Sequence, residues 1–144
     1  MNSTPALTIL QPWAELVVAG RKSIELRSWA PEHRGRLWIH VGLRALPDLD
    51  KHFELLAPYR GGYIGSVKVS AVVPMTAERW NTWRERHLDL GPYPGELLAW
   101  ILQEPRRFRL PVPGSGQLGL FSPTGDIAQR LDAAEMDALA ATDP

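Results

Sequence analysis

Between positions 22 and 29 the chain reads Lys22-Ser-Ile-Glu25-Leu-Arg27-Ser-Trp29, a spacing that could do chemistry. Side chains alternate along a strand, so Glu25, Arg27 and Trp29 share one face and Lys22 enters from the turn before them. A carboxylate between two cations, beside an indole, has two uses. It can seal itself into an ion-pair network at the end of a sheet. It can also line a polar cleft in which the cations meet phosphate and Trp29 stacks on a base. The spacing leaves both open. Arg34, Arg36 and Arg44 follow within the same third of the chain and are candidate phosphate contacts that would hold a strand without reading its bases. Arg106, Arg107 and Arg109 form a second basic cluster, either a solvated strand edge or a continuation of that track.

Other chemistries lack their residues. The chain has no cysteine, which removes thiolate metal sites, thiol nucleophiles and disulfides together and fits a cytoplasmic location. His33, His40, His52 and His87 make no helical pair and no His-x-x-Glu cluster, so neither a metal nor another cofactor is expected. His40, near the end of a strand, is kept as a candidate cleft residue. No run approaches the roughly 18 apolar residues of a membrane span. Sixteen basic residues balance sixteen acidic ones, but unevenly. Up to Arg44 there are six basic residues against Glu15, Glu25 and Glu32; after Thr124, Arg130 stands against Asp126, Asp132, Glu135, Asp137 and Asp143.

The positioning elements follow from punctuation and period. Pro12 opens a short helix to Ala19 with Trp13, Leu16 and Val17 on one face and Gly20 as its stop. Ile24 and Leu26 alternate with the charged residues as a strand, and Arg36 to Val41 makes a second. Leu46 to Leu56 reads as a helix behind Pro47. Tyr63, Val67, Val69, Ala71 and Val73 share one face of what should be the longest strand, with Ser66, Lys68 and Ser70 on the other. Thr76 caps a helix bearing Trp80 and Trp83, aromatics that cover a sheet end or meet a partner. Leu97 to Leu102 is strand-like before a proline-punctuated stretch, Leu118 to Phe121 is a last short strand, and Ile127, Leu131, Ala134 and Ala138 mark a terminal helix starting at Asp126. Five or six short strands with small helices predict an α+β domain on a small, curled sheet or barrel.

Three blocks in fixed order, Leu10-Gln-Pro-Trp-Ala-Glu-Leu16, Gly20-x-Lys22-x-x-Glu25-x-Arg27-Ser-Trp29 and His33-Arg-Gly-Arg-Leu-Trp-Ile-His40, resemble the ASCH domain of the PUA-like superfamily. Gly62 to Val69 and Gly116 to Phe121 resemble its central and closing strands. The resemblance implies a PUA-like small mixed β-barrel with flanking short helices. It divides the chain into an N-terminal tail (1–6), the domain (7–122) and a C-terminal helix with an acidic tail (123–144). It implies a cleft lined by Gln11, Trp13, Lys22, Glu25, Arg27 and Trp29, and RNA or another single-stranded nucleic acid as partner. Some similar proteins are hydrolases of acylated nucleosides that pair a lysine with a threonine three residues on. Lys22 fits the first position, but Glu25 stands where the hydroxyl would be, so no catalytic residue is assigned. A nucleoside or RNA hydrolase, and a module sensing a nucleotide-like ligand, remain the alternatives.

Overall fold

The computed structural model describes residues 3–142; Asp143 of the acidic tail lies outside them. Strand β1 (Ala6–Thr8) leads into helix α1 (Trp13–Val18), followed by β2 (Ile24–Arg27), β3 (Gly35–Val41) and α2 (Pro47–His52). Then come β4 (Gly62–Pro74), α3 (Ala77–Thr82), α4 (Arg84–His87), β5 (Leu98–Pro113) and α5 (Gly125–Thr142). The β-branched and aromatic runs build one mixed sheet in the order β1-β3-β4-β5-β2. Among the described residues its only parallel pair is β1 with β3, Thr8 opposite His40.

The expected barrel does not close. β1 and β2 are the two edges, of three and four residues, too short for a ladder that would join them. The sheet nevertheless curls until Arg27 Nη2 of β2 donates to the Thr8 carbonyl of β1 at 3.0 Å. A side chain bridges the seam where backbone would have to pair.

Three apolar clusters hold the layers. α1 lays Ala14, Val17 and Val18 against Leu37, Ile39, Ile64, Val67 and Val69 inside the curl. On the outer face, α5 packs Leu131 and Ala138, with Ile127 and Ala134 at their margin, against Trp38, Tyr63 and Phe108, the stripe its spacing predicts. At the β2–β5 end, Trp80 and Trp83 cover Ile24, Leu26 and Ala99. Covering wins there over an open partner patch, since Trp80 is buried and donates its indole N–H to the Gly91 carbonyl at 3.1 Å.

Several expectations are corrected. The longest strand is β5, of 16 residues, not β4, of 13. β5 runs through Pro105 and Pro111 because beyond Ile101 it has β4 as its one neighbour and its register slips against Gly65–Ser66 and Lys68; irregular edge segments tolerate proline. Those slips also overturn the single face assigned to β4. Each bulge flips the side-chain alternation, so Tyr63 joins the cluster under α5 while Ile64 and Val67 join the one under α1. Leu118 to Phe121 forms no strand: Phe121 alone bridges to Ala6, and Leu118 is exposed beside Gly119 at φ 67°. The second helix stops at His52, with Glu54 and Ala57 at positive φ beyond it.

Candidate nucleic-acid interface

The seam between the two sheet edges is a cleft of about 340 Å³, lined by Thr8, Ile9 and Leu10 on one side, Lys22, Glu25, Leu26 and Arg27 on the other, with Trp13 and Asp89 closing it. β2 turns Ile24 and Leu26 outward under the tryptophans and so turns Glu25 and Arg27 into the seam, as alternation requires. Glu25 is buried; its Oε2 accepts from Arg27 Nε at 2.9 Å and lies 2.9 Å from Nη2 as an ion pair. Lys22, 4% exposed, donates from Nζ to the His87 carbonyl at 2.6 Å and lies 3.9 Å from Glu25 Oε1. Its ammonium also sits 5.2 Å from the centre of the Trp13 ring, within cation–π range. Burial pushes the Lys22 pKa down, against the pull of Glu25 and Asp89. The floor of the cleft is therefore an ion pair plus a desolvated ammonium. The cation that reaches solvent there is Arg27, with 27% of its side chain exposed.

The remaining candidates divide by partner. Gln11 is buried beside the cleft wall with both ends of its amide engaged: Oε1 accepts the Glu15 N–H at 2.9 Å and Nε2 donates to the Tyr59 carbonyl at 3.0 Å. It holds the entry to α1, whose Gln11–Pro12 peptide is cis, and does not line the cleft. Trp29 lies past the end of β2, half-buried edge-on against Trp100 with ring centres 4.9 Å apart, so the shared face with Glu25 and Arg27 ends with the strand. Arg34 is exposed and donates to the Pro31 and His33 carbonyls of its own turn.

Arg36 and His40 point elsewhere. Arg36 reaches the outer face, donating to Ser66 Oγ at 2.6 Å and to the Glu104 carbonyl at 2.9 Å. His40 is buried; its Nε2 faces the Gly114 carbonyl at 2.8 Å, so that nitrogen carries the proton and Nδ1 accepts from Thr8 Oγ1 at 3.0 Å. Burial holds its pKa down, opposed by the Gly114 bond. A fully satisfied imidazole of this kind locks β1 to the loop after β5. The second basic cluster is spent likewise, Arg106 on Glu104 and Glu135, Arg107 on Glu15, Arg109 on Asp137.

Sequence reasoning missed Thr8, Asp89 and Glu135. Thr8 and Asp89 come to the cleft from an edge strand and a loop far away in the chain, with no local signal. Glu135 had one: it falls four residues after Leu131 on the buried stripe of α5, where a carboxylate demands a partner. Its Oε1 and Oε2 lie 2.7 and 2.9 Å from Ser66 Oγ.

A sequence model of the ASCH domain matches residues 7–112. Activating signal cointegrator 1 of Homo sapiens is 48% identical over 54 residues, covering 38% of this chain and 9% of that protein. The Mus musculus protein of the same name is 51% identical over 55 residues, with the same coverage of 38% and 9%. The chain thus spans about a tenth of the length of these relatives. Among solved structures, ASCH from Zymomonas mobilis superposes with a TM-score of 0.64 at 18% identity, over 91% of this chain and 94% of that one. A tyrosine-to-phenylalanine mutant of it gives 0.65 at 16%, over 92% and 98%. At such identities the likeness is one of fold.

Proposed function

Because the chain belongs to the ASCH domain family, we propose that it binds single-stranded RNA, with one nucleotide entering the seam between β1 and β2. The observation that carries this reading is the cleft itself. Two sheet edges are bridged by Arg27 over a floor of buried Lys22 and Glu25, with an indole as one wall. A space of about 340 Å³ lies at the small end of ligand pockets and fits one nucleotide rather than a duplex. Trp13 supplies the stacking surface, Arg27 the phosphate contact at the rim, and Arg34 a further cation toward the emerging chain. Trp29 adds what its packing on Trp100 leaves exposed. Lys22 and Glu25 shape the floor and stay within it. Gln11, Arg36 and His40 support the elements that frame the cleft.

The test is titration of a trinucleotide, short enough to stay in the cleft, across several salt concentrations, with melting temperatures on the same proteins. Trp13→Ala should weaken binding by about 1–3 kcal/mol, the worth of one stacked base, and leave the salt dependence alone. Arg27→Ala should flatten the log–log slope by about 0.7, one phosphate contact. Absence of binding at low salt, or binding indifferent to both substitutions, refutes the proposal. The small volume of the cleft also favours a second reading, a site for a free nucleotide-like metabolite. A mononucleotide that binds as tightly as the trinucleotide would select it.

A further inference from the structure

The outer face of the sheet carries a second constellation that the cleft does not use. β3, β4 and β5 bring Arg36, Ser66 and Arg106 side by side, Ser66 standing opposite Arg106 in the ladder. Glu135 of α5 is set into the middle of them. Its carboxylate reaches Ser66 Oγ within hydrogen-bonding distance, but stands 3.9 Å from Arg36 Nε and 3.7 Å from Arg106 Nη1. Arg36 Nε and Nη1 are consequently buried without a hydrogen-bond partner. Two guanidinium groups and a hydroxyl therefore face one planar acceptor that neutralises them and leaves donors unmet. A tetrahedral phosphodiester presents two charged oxygens and two ester oxygens in different directions and can meet more of these donors at once.

The helix that supplies Glu135 docks by a narrow apolar stripe. Of its apolar stripe, Leu131 is the one large side chain fully buried; Ala134 and Ala138 are small and Ile127 is half-exposed. α5 carries Asp126, Asp132, Glu135 and Asp137 against Arg130 alone, so an acidic helix lies on a basic face, with Asp137 also on Arg109. Beneath it Trp38 and Phe108 lie 6.0 Å apart, ring centre to ring centre, aromatic surface of the kind on which bases stack. The helix also falls beyond the residues matched by the ASCH domain.

We propose that Arg36, Ser66 and Arg106 form a second phosphate site, for the backbone of single-stranded RNA. In the free protein the Glu135 carboxylate holds it shut, and RNA that engages the site displaces α5. The inference rests on the RNA-binding reading but concerns a different face of the sheet.

The experiment is hydrogen–deuterium exchange on the full chain with and without an oligouridine of roughly 16 nucleotides, the upper end of single-strand site sizes. RNA affinity is measured in parallel for the wild type, Glu135→Gln, Trp13→Ala and Arg27→Ala. Saturating RNA should deprotect the amides of α5 while β3 and β4 stay protected. Glu135→Gln should bind about tenfold tighter, an ordinary coupling between competing contacts. Its salt slope should steepen by roughly 1.4, two phosphate contacts of about 0.7 each, because Arg36 and Arg106 then carry counterions that RNA releases. RNA binding that leaves α5 protected overturns the proposal, whatever the affinity of the variant. The wild-type measurement stands even if Glu135→Gln folds poorly. Release of α5 with affinity untouched by Trp13→Ala and Arg27→Ala would sink the cleft and keep this site. Binding by none of the four proteins sinks both.

Discussion

Removing the Glu25 carboxylate should cost the protein a substantial part of its stability, because two cations were placed around it. Its Oε2 accepts from Arg27 Nε at 2.9 Å with Nη2 beside it at 2.9 Å, and Lys22, nearly without solvent, lies 3.9 Å from Oε1. Breaking a buried pair from one side costs about 3–5 kcal/mol, mostly the stranded opposite charge. Two facts pull the figure to the low end. Arg27 is a quarter exposed and keeps its bond to the Thr8 carbonyl, and Lys22 keeps the His87 carbonyl. Glu25→Ala is therefore expected to lose about 3 kcal/mol, which in a domain of this size is a fall of roughly 6–12 °C in melting temperature at about 2–4 °C per kcal/mol. Adding Lys22→Met should recover part of it, since removing both charges strands neither. The control is the exposed Lys68–Glu104 pair, 3.7 Å apart, where Glu104→Gln should change stability by less than about 1 kcal/mol. Thermal denaturation with urea titration at fixed pH reads all of these. A Glu25→Ala protein that melts with the wild type, or a double variant worse than the sum of its parts, refutes the account of the cleft floor.

Gly116→Ala would place a methyl 2.5 Å from both His40 Nδ1 and Thr8 Oγ1; chemical denaturation should show a loss of about 1–3 kcal/mol from overpacking, against no loss for Gly91→Ala, whose nearest neighbour is the Asp89 side chain at 3.5 Å. His40 and His87 both have pKa values lowered by burial, so the unfolded chain binds more protons as pH falls through the ordinary imidazole value of about 6.5. Stability should therefore be at its fullest above that value and decline below it until the folded pKa is passed. Urea titrations showing a flat profile from neutral to mildly acidic pH would contradict this, and His40→Gln should remove part of the decline. Finally, the wild type should release no acetate from N4-acetylcytidine, because Glu25 stands in the hydroxyl's place and the Thr8 hydroxyl is engaged by His40 and covered by Gly116. Turnover abolished by Lys22→Ala would overturn that expectation.

The chain alone determined whatever depends on neighbours in sequence. The period-2 run after Lys22 places Glu25 and Arg27 together, the three N-terminal blocks identify the family, and the helical spacing from Ile127 to Ala138 describes the stripe by which α5 docks. Tertiary structure decided which cations stay free. Arg36 and Arg106 look like a phosphate track in sequence, yet Glu135, far along the chain, neutralises both. Lys22 looks like a phosphate-facing cation, yet the His87 carbonyl and Asp89 meet it from the α4 turn and it is buried. The open seam was equally out of reach, since bulges shift the β4 register and flip its faces without a signature in composition. A strand's alternation is local and survives in the sequence. Charge neutralisation and sheet closure are sums over residues that only folding brings within a few ångströms, and Coulomb energy at those distances depends on burial that no local pattern encodes.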